Sequence, residues 1–151
     1  MTLLDELIAK HTAGIPAVQL DYSDEFPQAD TIAAECGSEE VRDILSRIER
    51  LAAERSIADE SGTVNGDELD FMWSRFSRYA SLLPHLVPRF SAIVISAITS
   101  HSSELRLYAA QAFKLAPVAE AVKPIQAQLS VEEVGPVRAV LQQALSNCKS
   151  K

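Results

Sequence analysis

Residue types able to do chemistry are present in this chain, but their spacing does not gather them into a site. The histidines His11, His85 and His101 fall in different segments and belong to no metal motif, and Cys36 and Cys148 lie outside any CxxC pattern. That usage predicts two reduced thiols in a cytosolic protein and no zinc site. Aligning Gly66 with the required glycine of a calcium loop puts Ser61 at the first ligand position and Met72 where the bidentate glutamate belongs, so that ligand set fails. No Gly-x-Ser-x-Gly elbow, Walker loop or Gly-x-Gly-x-x-Gly occurs, so neither the commonest nucleophilic nor the commonest nucleotide chemistry is expected. With no convergent polar site, the sequence predicts no enzyme and no cofactor.

Two charged patterns remain. Arg42, Arg106 and Arg138 each follow an aliphatic residue at multiples of a 32-residue period, and Arg75 and Arg78 could join them in an anion-binding row. The opposite pattern is an acidic run, Asp21, Asp24, Glu25, Asp30, Glu35, Glu39 and Glu40, set beside Tyr22 and Phe26. Surface acids often serve solubility alone. Aromatic anchors amid acids, however, suit docking onto a basic protein surface. The expected partner-binding residues are Asp21, Tyr22, Asp24, Glu25, Phe26, Asp30, Glu35 and Glu39.

The elements that must carry these residues read as helices. Leu3, Leu4, Leu7 and Ile8 at helical spacing, behind Thr2 and the first-turn acids Asp5 and Glu6, predict a short first helix. Val18 to Phe26 nearly alternates and is read as an ordered loop, with a strand as the other option. From Ser38, Val41, Ile44, Leu45, Ile48, Leu51 and Ala52 share one face, with Arg42, Asp43, Arg47, Glu49 and Arg50 assigned to the other. A loop is expected over Asp59 to Gly66, then a capped helix with Asp70 at its third position that carries Phe71, Trp73, Phe76 and Tyr79. Pro84 and Pro88 should end that helix and begin a central one from Phe90 to Thr99. Further helices are expected from Ser102 or Ser103 to Leu115, onward to Leu129, and from Gly135-Pro136 to about Cys148. Short connections imply antiparallel neighbours.

At 151 residues, 47% apolar and 23% charged, the chain suits one folded domain, 1–151, with an acidic non-repeating segment 1–37 and helical repeats over 38–148. Its start lacks the basic and apolar blocks of a secretion signal, and Leu82 to Ile98 is too interrupted to span a membrane. The net charge of −7 is concentrated: residues 1–40 hold nine acids against Lys10 alone, whereas the rest balance to +1. Such a surface repels nucleic acid and anionic lipid and attracts a basic protein.

Residues 104–113 align with 136–145 at an offset of 32, and a third copy begins at Glu40. Glu120 to Leu129, followed by Val137-Arg138 and Ala144-Leu145, resembles the short HEAT repeat of the bilin-lyase type, and Leu86-Val87-Pro88 before Leu105-Arg106 repeats the theme. Prolines 36 apart against arginines 32 apart depart from the most regular members. The likeness covers 85–148 best, 38–83 weakly and 1–37 not at all. It implies an all-α fold of about seven or eight helices, stacked in antiparallel pairs as a short right-handed solenoid. It also implies a concave surface that binds proteins, and arginines that brace neighbouring turns. A protein-binding module is therefore expected, for instance a bacterial immunity or antitoxin-type antagonist of a basic protein. The alternatives are a small bilin-lyase-like enzyme and a nucleic-acid-binding HEAT-like domain.

Overall fold

The computed structural model describes residues 2–151. Among them are nine α-helices, two short 3-10 turns and no strand. The chain divides at Leu82/Leu83 into two compact units, Met1–Leu82 and Leu83–Lys151.

The N-terminal unit holds α1 (Leu3–Thr12), α2 (Ala17–Asp21), α3 (Ala29–Ala34), α4 (Ser38–Ser61) and α5 (Gly66–Ala80). Thr2 caps α1: its hydroxyl accepts from the Asp5 N–H at 3.2 Å, and the Asp5 carboxylate accepts from the Thr2 N–H in return. The predicted apolar face of α4 is buried, with Val41, Ile44 and Ile48 at 0% exposure. Each such side chain contributes about 1.5–3 kcal/mol of burial. Arg47 departs from its expected place on the polar face and is buried, because it meets partners from three helices.

Two boundaries differ from expectation. The helix α4 continues through Asp59 to Ser61 and stops where Gly62 takes a left-handed φ of 68°, so the loop shrinks to residues 62–65. The cap of α5 is Asn65, whose side chain accepts from the Glu68 N–H at 2.9 Å; this puts Glu68, not Asp70, at the third position.

Val18 to Phe26 is neither strand nor simple loop. Pro16, with φ −58°, precedes the single helical turn α2, which buries no side chain of its own. Its stability comes from elsewhere: the Arg78 guanidinium donates through Nη1 to the carbonyls of Leu20 and Asp21, both at 2.8 Å, and of Ser23 at 3.2 Å. A buried cation thus answers the orphan carbonyls at a helix end, which local sequence does not reveal. α3 was also unexpected; it is fixed by burial of Ile32 and Ala33.

The C-terminal unit holds α6 (Leu83–Ser96), α7 (Ser103–Leu115), α8 (Val122–Leu129) and α9 (Gly135–Lys149), with 3-10 turns over Ala97–Thr99 and Ala119–Ala121. Helix α6 consists of two helical stretches joined at a kink at Phe90 (φ −131°, ψ 34°), just after Pro88; the second stretch is the helix expected from Phe90, and the first, from Leu83, was not expected. α6 buries one face, with Leu83, Leu86, Val87 and Val94, and leaves Ala92 and Ser96 exposed, although the sequence suggested a central helix. Ser102 caps α7 by accepting from the Leu105 N–H at 3.2 Å, and Pro136 lies in the first turn of α9. The two segments that align at an offset of 32 fall on α7 and α9, and these helices pack most extensively on each other. Ala109, Ala110 and Ala112 on α7 and Ala144 on α9 are fully buried small residues. No single helix among the described residues is long and apolar enough to cross a membrane.

Candidate functional site

A chemistry-bearing concavity that takes in residues of the acidic run lies in the N-terminal unit. It is a cleft of about 270 Å³, open to solvent, lined by Tyr22, Asp24, Asp70, Trp73 and Ser74. One wall is the chain after α2. Arg78 gathers the carbonyls on both sides of Tyr22, and the Ser74 hydroxyl donates to Asp24 Oδ1 at 2.9 Å, so the loop is pinned at two points. Desolvation lowers the pKa of the Arg78 guanidinium, and the charges of Asp21 and Tyr79 oppose that drop. The other wall is α5, where Trp73 and Ser74, three and four residues after Asp70, lie beside it on the helix surface.

Aromatic contacts stiffen both walls. The exposed Tyr22 ring leans on Phe71 with centroids 5.7 Å apart, and Trp73 meets Phe76 edge-on at 4.9 Å. Arg55 lies over the indole at 5.2 Å and donates through Nε to the Leu69 carbonyl at 3.0 Å, so it supports Trp73 without lining the cleft. Chemically, the cleft offers two carboxylates and two aromatic surfaces to a cation. Two carboxylates fall short of an oxygen-rich calcium or magnesium shell, and no group of three or more His, Cys, Asp or Glu among the described residues could hold a metal.

The eight expected contact residues separate. Tyr22 and Asp24 line the cleft. Asp21 is half-buried, and its backbone carbonyl is held by Arg78. Glu25, Asp30 and Glu39 are exposed on the same unit outside the lining, and Asp30 also accepts from the Thr31 N–H at 2.9 Å. One placement is corrected. Phe26 is a core residue, 5% exposed and edge-on to Tyr79 at 5.7 Å, since its apolar ring gains more from burial than from solvent. Glu35 is exposed like Glu25, Asp30 and Glu39, and it pairs at the surface with Lys10 Nζ at 2.9 Å and His11 Nε2 at 2.6 Å; hydrogen bonds from His11 and then Lys10 hold its carboxyl below the usual range. Asp70 and Ser74 were missed. Their spacing around Trp73 was the available signal, but nothing local ties them to Asp24.

The arginine row is likewise resolved. Arg106 donates to Glu132 through Nε at 2.8 Å and Nη2 at 3.0 Å, and through Nη1 to the Ser100 carbonyl at 2.8 Å. Arg138 Nη1 reaches the Leu129 and Glu132 carbonyls at 2.6 and 3.3 Å. Both therefore brace the α8–α9 turn. Arg42 is exposed on α4, and the buried arginine of that helix is Arg47.

Charge follows the division into units. The N-terminal unit carries seventeen acids and seven bases, a net of −10, and the C-terminal unit four acids and seven bases, a net of +3. No known family, curated protein or solved structure matches this chain.

Proposed function

We propose that this chain is a protein-binding module, without catalysis of its own, that docks on a basic partner protein through the acidic surface of its N-terminal unit. The observation carrying this reading is the net charge of −10 on one compact unit, together with an aromatic-walled cleft in its acidic region. A field of that sign accelerates encounter with a basic surface and screens over about 10 Å at ordinary ionic strength. Charge of this kind contributes mostly to rate and specificity, whereas aromatic side chains at the centre of a contact supply most of its affinity. Tyr22 and Trp73 fill that role here. The same charge disfavours nucleic acid and anionic membrane as partners. An immunity-type antagonist that occludes a basic toxin in the cytoplasm is the concrete form of this proposal.

Within the same reading, the C-terminal unit is a short right-handed HEAT-like array that serves as scaffold. Direct packing of the two aligned helices α7 and α9, and the turn-bracing by Arg106 and Arg138, support it.

Affinity chromatography of the host lysate on immobilised protein tests the docking. A variant with Asp21, Asp24, Glu25 and Asp30 changed to Asn or Gln should lose a basic protein that the parent chain retains. Equal retention by both would sink the proposal.

A further inference from the structure

We infer that the cleft between the α2–α3 loop and α5 is a receptor for one arginine side chain of the partner, stacked on Trp73 or Tyr22 and paired with Asp24 and Asp70. This inference rests on the docking proposal and specifies the group that enters the site.

Size is the first argument. A cavity of about 270 Å³ lies below the roughly 300–1,000 Å³ of pockets that enclose drug-sized ligands, so it suits a single side chain. Its lining is the second. Carboxylates on the two opposing walls accept N–H donors, and the flat faces of an indole and a phenol accept a planar cation. A guanidinium satisfies both at once, because it is planar, weakly hydrated and donates through a fork. An ammonium pairs with the carboxylates but keeps its hydration, and a trimethylated ammonium has no N–H to donate to them. The third argument is preorganisation. Ser74 holds Asp24, Arg78 fixes the backbone on either side of Tyr22, and Arg55 and Phe76 steady Trp73, so little side-chain freedom is lost when the group enters. Two cations border the cleft, Arg78, which interacts electrostatically with Asp24, and Arg55; Arg78 is committed through Nη1 to the carbonyls of Leu20, Asp21 and Ser23, and Arg55 through Nε to the Leu69 carbonyl.

Trp73 is the only tryptophan, so its fluorescence reports on the cleft directly. The probes are three Gly/Ser decapeptides carrying four arginines, four lysines or four citrullines, titrated at low salt against the full chain. The arginine peptide should perturb Trp73 emission and bind about fivefold more tightly than the lysine peptide, and the uncharged citrulline peptide should bind at least tenfold more weakly than the arginine one. Asp24→Asn and Asp70→Asn should abolish the preference for arginine over lysine. Glu25→Gln with Asp30→Asn should weaken both charged peptides alike and keep that preference. Far-UV circular dichroism checks that each variant folds.

Equal binding of arginine and lysine peptides, with affinity lost only through Glu25 and Asp30, would overturn the arginine receptor while leaving the acidic docking surface standing. Failure of both charged peptides to bind would overturn the two together. Self-association of the parent chain that disappears in Asp24→Asn would give the cleft to a second copy and likewise overturn the inference.

Discussion

An arginine joins separate elements within each unit, Arg47 in the N-terminal one and Arg106 in the C-terminal one, and the two are held in opposite ways. Arg47 in the N-terminal unit donates to Asp5, Asp43, Thr2 and Tyr79, at 2.6 to 3.1 Å, and joins α1, α4 and α5. Its side chain is 10% exposed, but its carboxylates are not dry: Asp5 is 37% exposed and Asp43 32%. Arg106 in the C-terminal unit is 13% exposed and faces Glu132, which is only 1% exposed and also accepts from Gln128 and the Val134 N–H. One network can rehydrate its anions when broken, and the other cannot. A buried pair gives little net stability when intact, yet removal of one partner exposes the desolvation cost of the other.

Glu132→Ala should therefore have the largest effect, a loss of about 4 kcal/mol, because it takes the carboxylate from a guanidinium that is only 13% exposed and frees the α8–α9 turn. Urea denaturation measures it, and a loss under about 1 kcal/mol would erase the distinction between the two networks. Arg47→Ala should cost less, about 2 kcal/mol, since water reaches Asp5 and Asp43. Equal costs at the two sites would mean that carboxylate exposure is irrelevant here.

The smallest effect is with pH. The Asp5 carboxyl is held well below the usual range, chiefly by the Arg47 hydrogen bond against the opposing effect of burial. In Glu132 burial raises the carboxyl, but hydrogen bonds from Arg106, Gln128 and Val134 outweigh it and leave the pKa lowered. A carboxyl with a depressed folded pKa contributes stability that is complete above its unfolded value and is lost as pH falls through the folded value. Urea midpoints should accordingly hold from neutral pH to about 5 and decline below the ordinary values of 4.5 for Glu132 and 3.8 for Asp5. Glu132→Gln should flatten the first part of that decline. A midpoint that does not change between pH 6 and 3 would contradict the assignment.

The same contrast explains what could be read from the sequence. Helices α4, α7 and α9 were legible because each repeats apolar residues on one face and carries its own start signal. Arg47 was misassigned because an arginine among Asp43, Glu49 and Arg50 looks solvated, and its partners lie up to 45 residues away in sequence. Arg78 hid in the same way, and with it α2, whose turn depends on a side chain 57 or 58 positions further on. The cleft was half legible: Tyr22 and Asp24 stood out as an aromatic within an acidic run, whereas Asp70 and Ser74 join them only once α5 packs beside the loop.

Both cysteines are buried at 1% exposure, Cys36 in the N-terminal unit and Cys148 in the C-terminal unit, where desolvation also raises the pKa of the latter's thiol. A thiol so enclosed reacts with an aqueous reagent only when its surroundings open. The chain thus carries one natural opening sensor in each half, so labelling kinetics would report the breathing of the two units separately, without any introduced probe.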